Sequence, residues 1–127
     1  MTHENSPLVV ESVRGVSQIQ ADEWNALVDD GSPFLEHAFL ATLEETGCTG
    51  GESGWYPTIL TCRDNGRLIG ALPFYVKTHS RGEFVFDWAW ADAAQRAGIP
   101  YYPKATVAVP FTPVTGTRLL VHPAHER

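Results

Sequence analysis

The sequence lacks the features that would assign its 127 residues to a membrane or secreted class of protein. No apolar run reaches the roughly eighteen residues that a helix needs to cross a bilayer. The first twenty residues have no basic start, no long apolar centre and no small-residue cleavage site, which a signal peptide would show. We therefore expect a cytoplasmic protein without a membrane span. Internal repeats and low-complexity segments are also absent.

Basic side chains are scarce. Nine Lys and Arg stand against fifteen Asp and Glu, which gives a formal net charge of -6. This is the wrong sign for a protein that neutralises a nucleic-acid backbone or an anionic membrane surface. We expect no nucleic-acid binding through a basic patch.

Cysteine is also scarce, and the histidines are scattered. Cys48 and Cys62 are fourteen positions apart with no CxxC pattern, so reduced structural thiols are expected. None of the five histidines has the spacing of metal ligands on a helix or in a zinc finger. We predict no metal site.

What remains is the composition of a soluble globular domain, with 43% apolar and 19% charged residues. Two short amphipathic helices are predicted near the start. The first begins at Ala21 and is predicted to stop at Gly31, with Trp24, Leu27 and Val28 as its apolar stripe. In the second, "PFLEHAFLATLEETG", the stripe is Phe39, Leu40 and Leu43, and Gly47 is the predicted stop.

A β-hairpin is the clearest local pattern. The β-rich runs "WYPTILTCR" and "LIGALPFYVK" flank the turn "DNGR". The second run is apolar on both faces, which predicts cover on both sides, and Pro73 predicts a bulge or an edge. The preceding "CTGGESG" is predicted to be a loop, because a phosphate-binding loop would lead into a helix rather than a strand.

The stretch "EFVFDWAWADAAQRAGIPYYPK" predicts a strand, a helix from about Trp88 to Ala97, and a stiff link to the next strand. Asp87 stands at the position of a helix N-cap. Trp88 and Trp90 are predicted to anchor the helix by packing, and Asp92 to pair with Arg96 one turn later. The runs "ATVAVPF" and "TGTRLLV" are predicted as further strands, so the element order favours an α+β fold.

Three groups of residues are candidates for chemistry. Glu83 follows a loop and is either a general base or a solvated side chain. Tyr101, Tyr102 and Lys104 either line a site or belong to a half-buried proline-stiffened connector. In "VPFTPVTG" the prolines leave backbone groups free to bind a ligand or an oxyanion.

Three strings of this chain resemble the N-terminal part of the FemAB-like N-acyltransferases, which are bacterial proteins related to the GNAT superfamily and linked to peptidoglycan biosynthesis. These are "PFLEHAFLATLEETG", "GRLIGALPFYVKTHSRGEFVFDWAWADAAQRAGIPYYPK" and "VAVPFTPVTGTRLLV", within Pro33 to Val121. The resemblance implies a GNAT-like mixed sheet with flanking helices. It divides the chain into an N-terminal segment with a candidate first strand (1–20), an acyltransferase subdomain (21–121) and a tail (122–127).

The resemblance also implies a reaction, in which an acyl group passes from a CoA thioester or aminoacyl ester directly to an amine. Such a reaction needs a base, an oxyanion donor and an orienting pocket. The implied roles fall into three sets. The catalytic candidates are Glu83, Asp87 and Tyr102; the substrate-binding candidates are Trp88, Tyr101, Lys104, Phe111 and Thr112; the candidates for binding the acyl-CoA donor are Val109, Thr115 and Gly116.

One departure from the family is its length, since family members are roughly three times as long, a size typical of two or more domains. The glycine loop and helix that would bind the donor pyrophosphate are not seen in this sequence. We therefore expect a piece or short version of a larger acyltransferase that associates with itself or with a missing domain. The alternative is a non-catalytic binding or assembly module with the same fold.

Overall fold

The computed structural model describes residues 8–28, 31–83, 87–112 and 116–125. Two sequence-based predictions lie outside these ranges, the strand at Phe84 to Phe86 and the donor-site role of Thr115.

The described ranges contain three α-helices and seven strands. The helices are α1 (Ala21–Asn25), α2 (His37–Glu45) and α3 (Trp88–Arg96). The strands are β1 (Leu8–Val13), β2 (Trp55–Pro57), β3 (Ile59–Asp64), β4 (Arg67–Leu72), β5 (Tyr75–Lys77), β6 (Lys104–Thr106) and β7 (Leu120–Val121). All strand pairs are antiparallel, in one sheet of order β1-β3-β4-β7 and another of order β2-β5-β6. The prediction of an α+β fold is confirmed.

The predicted hairpin is formed by β3 and β4, with Asp64 opposite Arg67. Its two turn residues, Asn65 and Gly66, both have positive φ, at 51° and 81°. This is the turn geometry that matches the twist of the two flanking strands, and Asn-Gly is the sequence that adopts it most readily. The "DNGR" prediction is therefore confirmed.

Each long β-rich run is two strands and not one. The first divides at Thr58, between β2 and β3, and the second at Pro73 and Phe74, between β4 and β5. The two breaks face each other, since the Thr58 amide donates to the Phe74 carbonyl at 2.7 Å. Proline has no amide to donate to a ladder, so Pro73 marks the point where the chain leaves the larger sheet for the smaller one.

The hydrophobic core lies between one face of the four-stranded sheet and the two N-terminal helices. Trp24 of α1, Leu27 just after this helix, Leu40 of α2 and Ile59 of β3 are fully buried. The Trp24 indole also donates to the Leu35 carbonyl at 2.7 Å, so its polar atom is satisfied inside the core. Helix α1 ends at Asn25 and not at the predicted Gly31, so Leu27 and Val28 follow the helix, although both still pack in this core. Of the stripe predicted for α2, Leu40 is buried in the core and Phe39 packs against it.

The opposite face of this sheet is an open apolar groove of about 450 Å³. Leu60 of β3 and Leu72 of β4 are partly buried there, and Val10 of the edge strand β1 is 69% exposed. The prediction that the second β-rich run is covered on both faces is therefore not met by the part of the chain that the structure describes.

Helix α3 differs from its prediction in packing and agrees with it in length. None of its residues is buried, and Trp88 and Trp90 are 52% and 74% exposed, so these tryptophans do not anchor it in a core. The predicted Asp92–Arg96 pair is present at 2.5 Å on the solvent side. Gly98, with φ of 71°, ends the helix as predicted.

The last strands are shorter than predicted. Only Lys104–Thr106 of the region around "ATVAVPF" pairs with the smaller sheet, and only Leu120 and Val121 of "TGTRLLV" pair with the larger one. Pro110 cannot donate to a ladder, which is consistent with the early end of β6.

Cys48 and Cys62 are free thiols, as predicted. No helix in the described ranges is both long and apolar enough to span a bilayer.

Candidate functional site

The two lysines of the chain lie side by side in the smaller sheet. Lys77 ends β5 and Lys104 begins β6, and the two are direct partners in the antiparallel ladder. Partners across such a ladder project their side chains from the same face, with Cβ atoms about 5 Å apart. Two like charges at this distance repel, so their environment must supply negative charge.

Lys77 is fully buried. Its Nζ donates to the Arg81 carbonyl at 2.9 Å, pairs with Glu83 and lies 3.9 Å from the ring centroid of Trp55. Burial disfavours the ammonium form and lowers the pKa of Lys77, outweighing the opposite effect of Glu83. A carbonyl, a carboxylate and an aromatic face thus surround one buried cation.

Glu83 bridges the two lysines. Its Oε2 pairs with Lys77 and also lies 2.8 Å from Lys104 Nζ, while its Oε1 accepts from the same Nζ at 3.0 Å. The preceding Gly82 has a φ of 85°, and a Cβ there would lie 2.8 Å from the ring of Phe111. Only glycine fits this turn, and the turn places Glu83 next to both lysines.

Lys104 connects this bridge to a second carboxylate. Its Nζ contacts Ser80 Oγ at 3.1 Å and also binds Asp87. Partial burial acts to lower the pKa of Lys104, but the hydrogen bonds to Asp87 and Glu83 outweigh it, so this pKa is raised. Lys104 therefore stays charged under conditions in which Lys77 is more readily neutralised.

Asp87 precedes α3 at its N-cap position, but its carboxylate does not cap the helix. This corrects the sequence-based interpretation, since Oδ2 instead binds Lys104 and accepts from the Tyr101 hydroxyl at 2.5 Å. Burial acts to raise the pKa of Asp87, but the hydrogen bonds from Lys104 and Tyr101 and the charge of Lys104 hold it well below its usual range. Its buried Oδ1 has no hydrogen-bond partner among the described residues.

Two tyrosines form the outer wall of this cluster. The rings of Tyr101 and Tyr102 meet edge to face with centroids 5.0 Å apart. The Tyr102 hydroxyl lies 2.5 Å from Ser80 Oγ, and donation to Asp87 raises the pKa of the Tyr101 hydroxyl. Both phenols are thus tied to the charged groups at one end and exposed to a pocket at the other.

That pocket, which we call the aromatic pocket, lies between α3 and the two tyrosines and has a volume of about 420 Å³. It is lined by Trp88, Ala91, Asp92, Gln95, Ile99, Tyr101 and Tyr102. Aromatic walls with a few polar groups are typical of a site for a small organic ligand. The adjoining charged cluster contains two ammonium groups and two carboxylates, and so is close to neutral.

The structure brings together six of the predicted site residues, namely Glu83, Asp87, Trp88, Tyr101, Tyr102 and Lys104. The others lie elsewhere. Val109 is buried in the hydrophobic core, Phe111 packs on Trp55 with ring centroids 4.8 Å apart, and Gly116 accepts from Arg118 at 3.4 Å. Thr112 is partly exposed and follows Phe111 directly.

Sequence reasoning missed Lys77, Ser80 and Trp55. A signal for Lys77 was present, because it shares strand parity with the fully buried Tyr75 in "FYVK" and so points to the same face. A lysine on the buried face of a strand requires a partner of opposite charge, and the nearest acids downstream are Glu83 and Asp87.

The described residues contain no group of three or more His, Cys, Asp or Glu arranged to hold a metal ion. The cations of the described cluster are Lys77 and Lys104.

The fold and the site together define a small α+β domain with a charged cluster beside a ligand-sized aromatic pocket. A family model, FemAB-like, described as peptidoglycan biosynthesis/recognition, matches residues 15–127. The chain belongs to the FemAB-like family, which confirms the resemblance found in the sequence. No curated protein and no solved structure gave a significant match.

Proposed function

We propose that the chain supplies the acceptor side of an N-acyltransferase in peptidoglycan biosynthesis. The observation that carries this proposal is the position of Tyr101, whose ring lines the aromatic pocket while its hydroxyl binds Asp87. A ligand in the pocket therefore lies next to Asp87 and Lys104. Family membership supplies the peptidoglycan context.

In the proposed reaction an amine nitrogen attacks the carbonyl carbon of a CoA thioester or an aminoacyl ester. A nitrogen–carbon bond forms, the carbon–sulfur or carbon–oxygen bond breaks, and the proton lost by nitrogen leaves with the thiol or alcohol. Such a step gains most from holding the two reactants in line. A cytoplasmic acyl-CoA is the donor that we propose.

The geometry favours orientation over proton removal for the two predicted acids. Glu83 already accepts hydrogen bonds from both lysines, and the lowered pKa of Asp87 makes it a weak base. Asp87 is suited instead to hold the Tyr101 hydroxyl and Lys104 in place beside the acceptor, and Tyr102 to donate or relay a proton through Ser80.

A second candidate is a non-catalytic module that recognises peptidoglycan fragments. It is favoured by the hydrogen bonds that both carboxylates of the cluster accept from a lysine, because a carboxylate held in this way can bind a ligand but is a poor base. This module would use the aromatic pocket and need no donor.

Calorimetry with a soluble muropeptide, a disaccharide carrying a stem peptide, tests both candidates. We expect binding that weakens about tenfold in Trp88→Ala, which removes an aromatic wall of the pocket. Trp90→Ala is the matched control, because Trp90 lies on the same helix, is 74% exposed and does not line the pocket.

Incubation with the muropeptide and acetyl-CoA, followed by mass spectrometry, then separates the two candidates. An acylated muropeptide supports the transferase. Binding without transfer, from acetyl-CoA or from longer acyl-CoAs, favours the recognition module. No binding of the muropeptide to the wild-type chain contradicts both.

A further inference from the structure

We propose that Lys77, which never meets a ligand itself, is a positioning residue for this site. It fixes Glu83 as a bridge, and the bridge orients Lys104 toward Asp87. Asp87 in turn binds the hydroxyl of Tyr101, which lines the aromatic pocket. The inference rests on the proposed function only for the identity of the ligand.

Direct contact between Lys77 and a pocket ligand is excluded by its burial. The side chain has no exposed surface, and Nζ is surrounded by the Arg81 carbonyl, the Glu83 carboxylate and the Trp55 ring. It does not line the aromatic pocket. Any effect of Lys77 on a ligand must therefore pass through Glu83.

Glu83 has one stable orientation because two cations hold it. Lys77 and Lys104 both bind Oε2, and Lys104 also binds Oε1. An ammonium group has three donors, and those of Lys104 meet three side chains, Ser80, Glu83 and Asp87. Once Glu83 is fixed, the direction of the third donor toward Asp87 is fixed as well.

The charges around Lys77 predict what its removal does. The groups that face it are the Trp55 ring from β2, the Arg81 carbonyl and Glu83 from the following loop, and Lys104 from β6, with Asp87 further away. Without Lys77, one ammonium remains for two carboxylates. Lys104 is then drawn toward Glu83, and its contact with Asp87 weakens.

This assigns different roles to the two acids. Glu83 is the bridge between two ammonium groups, whereas Asp87 holds the hydroxyl of Tyr101, which lines the aromatic pocket. Loss of Lys77 should therefore weaken ligand binding although no atom that touches the ligand has been removed.

The chain has two lysines, which makes the experiment simple to read. Lysine labelled with ¹³C at Cε gives two lysine resonances, and Lys77→Met leaves the resonance of Lys104 alone. We expect the muropeptide to shift the Lys104 resonance in the wild type, and this shift to shrink in Lys77→Met. Muropeptide affinity should fall by about tenfold, a size typical of residues that act on a binding site without contact to the ligand.

A double-mutant cycle separates positioning from general loss of structure. If Lys77 acts through Glu83, then Lys77→Met with Glu83→Gln should bind no more weakly than the worse single variant. Arg63→Met is the matched control, because it removes a cation from an ion pair with Glu23 outside the cluster, at 3.0 Å. It should leave muropeptide affinity unchanged.

Three results would overturn the inference: wild-type affinity in a folded Lys77→Met, additive losses in the cycle, or an unchanged Lys104 response to the muropeptide. If Lys77→Met does not fold, Glu83→Gln alone decides, since removal of the bridge must also reduce the Lys104 response and the affinity.

A wild-type chain that binds no muropeptide contradicts the proposed function and not the inference about Lys77. In that case the Lys104 resonance in the free protein still reports the positioning, since it must move in Lys77→Met and stay in place in Arg63→Met.

Discussion

At the residue scale, the site shows how the surroundings of a side chain set its chemistry. Lys77 and Lys104 have the same side chain. Burial against Trp55 lowers the pKa of Lys77, whereas hydrogen bonds to Asp87 and Glu83 raise the pKa of Lys104. Asp87 shows the same effect for an acid. Its position in the sequence suggests a helix cap, whereas its contacts make it the partner of Lys104 and Tyr101.

The pH dependence of stability tests the environment of Asp87. Its pKa is lower in the folded protein than its ordinary value of 3.8, so the unfolded chain binds more protons near and below that pH. The stabilisation is present above pH 3.8 and is lost as the pH falls toward the folded-state pKa. In urea unfolding, wild type should therefore lose stability over this acid range.

Asp87→Asn removes this pH-dependent stabilisation. We expect it to lower the free energy of unfolding by about 2 kcal/mol at neutral pH, because the amide replaces charge-assisted hydrogen bonds with Lys104 and Tyr101. The difference from wild type should shrink below pH 3.8. Asp92→Asn is the control, since Asp92 lies 54% exposed in its pair with Arg96. A constant difference across the acid range would contradict this account of Asp87.

At the scale of elements, the β3–β4 hairpin depends on one backbone conformation. Gly66 has a φ of 81°, and a Cβ at this residue would meet no atom within 4 Å. Gly66→Ala therefore tests the backbone alone. We expect a loss of about 1 kcal/mol in the free energy of unfolding, measured with urea, because an L-residue is strained in this region.

Gly70 of β4 provides the matched control for this hairpin. A Cβ there would lie at ordinary contact distances, 3.5 Å from the Leu120 carbonyl and 3.6 Å from Cys62 Cβ. Gly70→Ala should thus leave stability the same or raise it, since alanine loses less backbone entropy on folding. Equal losses in the two variants would show that the sign of φ does not limit the turn.

The elements also show what a sequence can predict. The Asn-Gly turn, the glycine stops at Gly47 and Gly98 and the burial of Trp24 and Leu40 were predictable, because each depends on neighbours in the chain. The break at Thr58 was not predicted, and Pro73 predicted a bulge or an edge but not the passage from one sheet to the other, because both breaks depend on how two strands face each other. Helix α3 was predicted in length but not in packing, since helical periodicity does not say whether a partner is present.

At the scale of the whole molecule, apolar surface is distributed unevenly. The described chain buries the faces that meet around Trp24 and leaves two others open, the outer groove of the larger sheet and the aromatic pocket beside α3. The family and the α+β class were predictable from long sequence strings. The charged cluster was predicted in part, because Lys77 comes from a segment whose pattern is otherwise that of a core strand.

The four tryptophans report on this distribution. Trp24 and Trp55 are buried, whereas Trp88 and Trp90 are 52% and 74% exposed. Acrylamide should therefore quench two populations of fluorescence, one readily and one poorly. Because Trp88 lines the aromatic pocket and Trp90 does not, a bound muropeptide should protect Trp88 alone.

The variants Trp88→Phe and Trp90→Phe assign this protection. Both remove one exposed indole from α3 and keep an aromatic ring, so each should lower the readily quenched fraction. The decrease in quenching on addition of muropeptide should disappear in Trp88→Phe and persist in Trp90→Phe. Protection that survives in Trp88→Phe would place the ligand outside the aromatic pocket, and the outer groove would then be the next surface to test, because no tryptophan lines it.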